Sequence, residues 1–241
     1  MSRATYAILA VVVVVFVAAL VFLFLPRGGG TQSARPGGAL PNLGGLATPV
    51  EETFRGCPPE GRGGDPQLNL LKNRMDEANW QPATIETMLA LRWPPAAERR
   101  AMSRWSVADR AEIARNNGLP VQAEGYLLLV RQQGAESTNC GSASADEVDY
   151  HMWLAAQPND NRATKSVVVE ATPRVRAKHP GWTLQNLEAV ARQRTRIRIS
   201  GWTMLDPEHP DEVGKSRGTI WEIHPIMKIE VAQPSGGWRE L

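Results

Sequence analysis

Apolar positions along this chain fall into three regimes. From Tyr6 to Leu25 they are continuous. The run YAILAVVVVVFVAALVFLFL carries no charge and is long enough to cross a hydrocarbon core of ~30 Å as a helix. A cleaved signal peptide has a shorter apolar stretch, about 7–15 residues, followed by a small-residue cleavage box. A run that ends in LPRGGG has neither, so the pattern predicts a short tail at 1–5 and an uncleaved single-pass transmembrane anchor at 6–25. Residues 26–50 are rich in Gly and Pro without periodicity, the signature of a flexible linker. From 51 to 118 the pattern is short and broken. ATIETMLALRW (83–93) reads as an amphipathic helix stopped by Pro94-Pro95, and SVADRAEIARNNG as a second. Ser106 and Asp109 are placed as a capping box on that second helix, Val107, Ala111 and Ala114 share a face, and Gly118 serves as the stop. This segment predicts a helical collar.

The third regime has the period of strands. EGYLLLVRQQ (124–133), VDYHMWLAA (148–156), KSVVVEATPRV (165–175), TRIRISGWTML (195–205) and GTIWEIHPIMKIEV (218–231) are rich in Val, Ile, Trp and Tyr and bounded by turn residues. Between the third and fourth, Thr183 is placed to cap a helix with Leu184, Leu187 and Ala191 on one face. Three strands, a helix and two strands is the order of an OB-fold-like Greek-key barrel. The predicted class is therefore α+β, mostly β: a barrel at 119–233 with an N-terminal helical collar and a C-terminal tail at 234–241. Gly125 and Gly201 stand where coiled strands would bend.

Composition narrows the compartment more than the function. A formal charge of +2 does not mark a nucleic-acid binder by itself. The cysteines are Cys57 and Cys140 alone, which excludes a cysteine-cluster zinc site and leaves one candidate disulfide. A tail of five residues ahead of the anchor favours a folded domain outside the cytoplasm, where such a bridge persists.

Three constellations carry candidate chemistry. The third strand leaves through Glu170, Thr172 and Pro173, and KSRGTIW (215–221) enters the last strand through an Arg-Gly pair. These short motifs, spread over Asp149 to Val231, resemble the thermonuclease (staphylococcal-nuclease-like) family, which is also an OB-fold. The resemblance implies a calcium-dependent phosphodiesterase in which Glu170 and Asp149 stand for the metal carboxylates and Arg217 for a phosphate-binding arginine. It is incomplete: Arg174 stands where the family places the glutamate that activates water, and Lys165 where it places a second arginine. Arginine cannot serve as a base at neutral pH, and loss of a general base costs about 10²–10⁴ in rate.

The second constellation is the four histidines, His151, His179, His209 and His224, candidate metal ligands without a recognised local spacing. The third is basic and aromatic. Lys165, Arg174, Arg194, Arg196 and Arg198 fall in a stretch with eight basic and two acidic residues. With Tyr150, Trp153, Trp202 and Trp221 they have the composition of a single-strand binding groove, but an acidic loop, DPEHPDE, follows directly. The sequence thus points first to a membrane-anchored binding or scaffolding barrel without catalysis or cofactor. Its expected partner is another envelope protein, a glycan or a single-stranded nucleic acid, in that order. The alternatives are a calcium nuclease and a dedicated nucleic-acid-binding module.

Overall fold

A computed structural model describes residues 53–99 and 102–241. The tail, the anchor at 6–25 and the linker at 26–50 lie outside the described residues. Among the described residues no helix is long and apolar enough to cross a membrane.

All five predicted strands form: β2 (Pro120–Gln132), β3 (Tyr150–Ala155), β4 (Ser166–Ala171), β5 (Arg196–Leu205) and β6 (Trp221–Ala232). They pair in the order β2, β3, β4, β6, β5, and β5 returns to β2 to close the ring. One pairing, β4 with β6, is parallel, and the others in the ring are antiparallel. The result is a closed five-stranded mixed barrel, consistent with an OB-like barrel. Closure follows from the alternation of the strands. In β5, Ile197 and Ile199 point in and are fully buried, while Arg196 and Arg198 point outward. Leu127, Met152, Leu154, Val167, Val169, Ile223 and Ile229 fill the same core, and Trp182 seals one end beneath it at 2% exposure. Coiling concentrates at Gly201, where the β5–β6 register shifts on both sides. A Cβ there would lie 2.5 Å from the Pro225 carbonyl oxygen.

Several boundaries move for physical reasons. The third run does not continue as strand to residue 175. Thr172 caps a short helix, α4 (Pro173–Arg176), and proline at the first helical position loses no hydrogen bond. The helix between β4 and β5, α5 (Leu184–Gln193), is capped by Thr183 as expected and buries Leu187, Val190 and Ala191. In the extension, α1 (Pro66–Lys72) is followed by a strand β1 (Gln81–Ala83), parallel to β2, and by the short helix α2 (Ile85–Leu89). Ile85 and Met88 join the barrel core, so this part is more than a collar. The Ser106–Asp109 capping box opens α3 (Val107–Ala114). Its buried face is that of Ile113, whereas Val107 is 86% exposed: isoleucine buries more apolar area than the alanines expected to face inward. Residues 234–241 are not a tail, because β7 (Trp238–Glu240) pairs with β6.

Candidate buried acid and histidine site

Register brings together polar residues far apart in sequence. The β3–β4 ladder sets His151 opposite Glu170. The parallel β4–β6 pairing of Val169 with Ile223 places Glu170 one step along, beside His224, and Asp149 enters just before β3. In this arrangement His151 Nε2 and His224 Nδ1 each lie 2.9 Å from Oε2 of Glu170. His224 Nε2 lies 3.8 Å from Oδ2 of Asp149, and one donor atom each from Asp149, Glu170 and His224 falls within 4.8 Å of the others. Both imidazole contacts to Glu170 are short, and neither forms a hydrogen bond. Asp149 Oδ2, Glu170 Oε2, His151 Nε2 and both His224 nitrogens make no hydrogen bond. Asp149 Oδ1 does accept one, from Asn139 Nδ2 at 2.8 Å.

The cluster continues outward as a compensated network. Glu222 Oε2 stands 3.6 Å from His224 Nδ1, and its other oxygen accepts from Arg217 Nη1. That same nitrogen donates to Asp206 at 2.8 Å, and His209 Nδ1 faces the same Asp206 oxygen at 2.8 Å. On the opposite flank α1 sends Lys72 to Glu208 at 2.8 Å and Glu136 at 3.6 Å, and Glu136 is 3.9 Å from His151 Nε2. Glu136, Glu208 and His209 line an open pocket of about 330 Å³. Lys72 bridges the two glutamates, and the inner acids lie behind it.

Charge placement shows in the proton affinities. Burial alone would raise the Glu170 carboxyl, but His151 and His224 hold it well below the usual range. Burial lowers His224, yet Glu170, Glu222 and Asp149 outweigh it and push the imidazole up to about 10. Glu222 is pushed up to about 7 by burial, then by Glu170 and Asp206. Asp206 is held low against its burial by His209 and Arg217.

Access to this cluster is closed. Asp149, Glu170, Arg217 and His224 are all at most 3% exposed. Above them the loop carrying Cys57 is tied by a Cys57–Cys140 disulfide to the turn Ser137–Asn139. Arg174 is not a rim residue. It is buried and donates to the Cys57 carbonyl oxygen at 2.7 Å, bracing the same cover. Of the residues expected for a nuclease, Asp149 and Glu170 converge, whereas Arg217 serves Asp206 and Glu222.

The expected basic and aromatic groove does not assemble. Tyr150, Trp153, Trp202 and Trp221 are buried, so they offer little ring face to a base. Arg198 is bidentate to Glu230 at 2.8 and 2.9 Å, Arg196 pairs with Glu124, and Arg194 donates to the Leu127 carbonyl oxygen. Lys165 is exposed, 3.7 Å from Asp160. The acidic loop turns toward Arg217 and Lys72, away from those arginines. His179 stacks on Trp182 at 4.2 Å, apart from the other histidines. Glu222, Lys72 and Glu136 were not foreseen as members of the network. For Glu222 and Lys72 the signal is a charge inside an apolar run, IWEIHP and LNLLKN; Glu136, in the polar turn GAEST, has none.

No protein-family model matches the chain, so the thermonuclease resemblance has no support from that side, and no curated protein matches it by sequence. Among solved structures it is similar to an OBody, AM1L10, bound to hen egg-white lysozyme. The two are 14% identical, with 51% of this chain and 89% of that one covered and a TM-score of 0.27, too low to carry any argument.

Proposed function

We propose that this chain is a membrane-tethered, extracytoplasmic OB-like barrel that binds or scaffolds another protein and catalyses nothing itself. The observation that carries the reading is the closure of the acid cluster. A phosphodiester has to reach a cation held by the two carboxylates and an arginine, and here Arg217 keeps 2% of its side-chain surface between two carboxylates. The apolar run at 6–25 supports the tether, and the Cys57–Cys140 bridge supports an oxidising compartment. A glycan or nucleic acid is less favoured, because the strand arginines are matched by Glu124 and Glu230. A protein partner suits the broad groove of about 770 Å³ lined by Asp65, Gln67, Met102, Ser103 and Arg110. Val107 lies one turn from Arg110 on the same helix.

The test is photocrosslinking in the native membrane from position 107, with exposed Lys178 as the control position. One discrete, reproducible protein adduct from 107 and none from 178 supports the reading. Absence of an adduct from 107 and from every groove position contradicts it.

A further inference from the structure

The thermonuclease resemblance implies calcium at Asp149 and Glu170, and the site does not fit that ion. Calcium takes about six to eight oxygen ligands. Here the donors beside the two carboxylates are imidazole nitrogens, and His224 is fully buried with His151 at 8% exposure. Imidazole with carboxylate is the ligand set of first-row divalent metals of the zinc class.

We infer that Asp149, Glu170 and His224, with His151 as a fourth donor, form a buried site for one zinc-class divalent cation. The geometry carries this independently of the binding role proposed above. Ligands held about 2.0–2.2 Å from such an ion stand about 3–3.5 Å apart. The two contacts of Glu170 to imidazole, both 2.9 Å, are close to that spacing. Neither contact forms a hydrogen bond. Four side chains from three strands and a strand entry carry polar atoms that make no hydrogen bond, those of Asp149, Glu170 and His224 within 4.8 Å of one another, and buried polar groups are otherwise almost always partnered.

The surroundings supply what a metal site requires of its outer groups. Asn139 fixes the Asp149 carboxylate through Oδ1, leaving Oδ2 directed at His224. Glu222 adds a further carboxylate 3.6 Å from His224 Nδ1. Glu136, which lines the open pocket, stands 3.9 Å from His151 Nε2. Held this deeply, the cation has a structural role: it ties β3, β4 and β6 together at the end where the disulfide-linked cover sits.

The full chain, purified in detergent without a histidine tag and stripped with chelator, is given Zn²⁺ or Ca²⁺ at equal free concentration. Bound metal per chain and melting temperature are then measured. One zinc per chain with a rise in melting temperature, and neither effect with calcium, is the expected result. His224→Gln and Asp149→Asn should each weaken zinc binding about 100-fold or more, beyond the effect typical of outer groups, while His179→Gln leaves it unchanged. Failure of the folded, stripped wild-type chain to take up zinc overturns the inference, whether or not the variants fold. So does equal uptake of calcium, or zinc binding that survives both ligand substitutions.

Discussion

Arg217 Nη1 donates to Oδ2 of Asp206 across 2.8 Å, at a depth where neither side chain keeps more than 3% of its surface. The same nitrogen also reaches Glu222, so one guanidinium compensates two buried carboxylates. Removing it takes the donor from Glu222 and leaves Asp206 with His209 and the Glu208 amide. Arg217→Met is expected to cost about 3–5 kcal/mol, the range for breaking a buried pair from one side. Arg217→Lys keeps the charge but not the fork and should cost less. Urea unfolding of the two variants against wild type measures the difference.

His209 gives a pH dependence with a defined sign. Its hydrogen bond to Asp206 pushes the imidazole up to about 9, above its ordinary value of about 6.5. A raised folded-state pKa contributes stability that is fully present below about pH 6.5 and disappears as pH rises through about 9. The ring is 40% exposed, so solvent screening limits the effect to about 1 kcal/mol or less. The stability difference between wild type and His209→Asn should shrink from pH 6 to pH 10. A difference constant across that window would contradict the pairing.

The disulfide closes a loop of 83 residues, and constraint of the unfolded chain then predicts at most about 4.5 kcal/mol of stabilisation, with about 2–4 typical. Reduction should lower the melting temperature and add two daltons to the intact mass. Cys57→Ser/Cys140→Ser should match the reduced protein in stability, because both free the same loop.

At Gly201 a Cβ would lie 2.5 Å from the Pro225 carbonyl oxygen and 2.6 Å from Ile223 Cγ2. Gly201→Ala is expected to destabilise by about 1–3 kcal/mol, as overpacking does. Gly134→Ala, where a Cβ meets nothing within 4 Å, should be close to neutral by the same thermal melt.

The sequence revealed the barrel because strands announce themselves by period. Ile197 and Ile199 alternate with Arg196 and Arg198, and caps at Ser106 and Thr183 mark helix starts through local hydrogen bonds. Glu170 and Asp149 were singled out one by one. The site they form depends on two registers, His151 opposite Glu170 and Val169 opposite Ile223, and no local pattern encodes a register between segments so far apart in sequence. Lys72 illustrates the same limit. Nothing local in LNLLKNRMDE distinguishes it from a solvated lysine, and it becomes a buried counterion only because α1 packs beside Glu136 and Glu208. The arginine groove failed for the complementary reason: Glu124 and Glu230, which neutralise it, lie on the neighbouring strands β2 and β6.

Closure of the acid cluster is the claim from which the proposed function follows, and a cleavage assay tests it most directly. The full chain is incubated with labelled single- and double-stranded DNA and with RNA, in calcium and in chelator. Intact substrate under every condition is the predicted result. Cleavage that requires calcium and disappears in Glu170→Gln would contradict it, because the cluster would then be open to a phosphodiester.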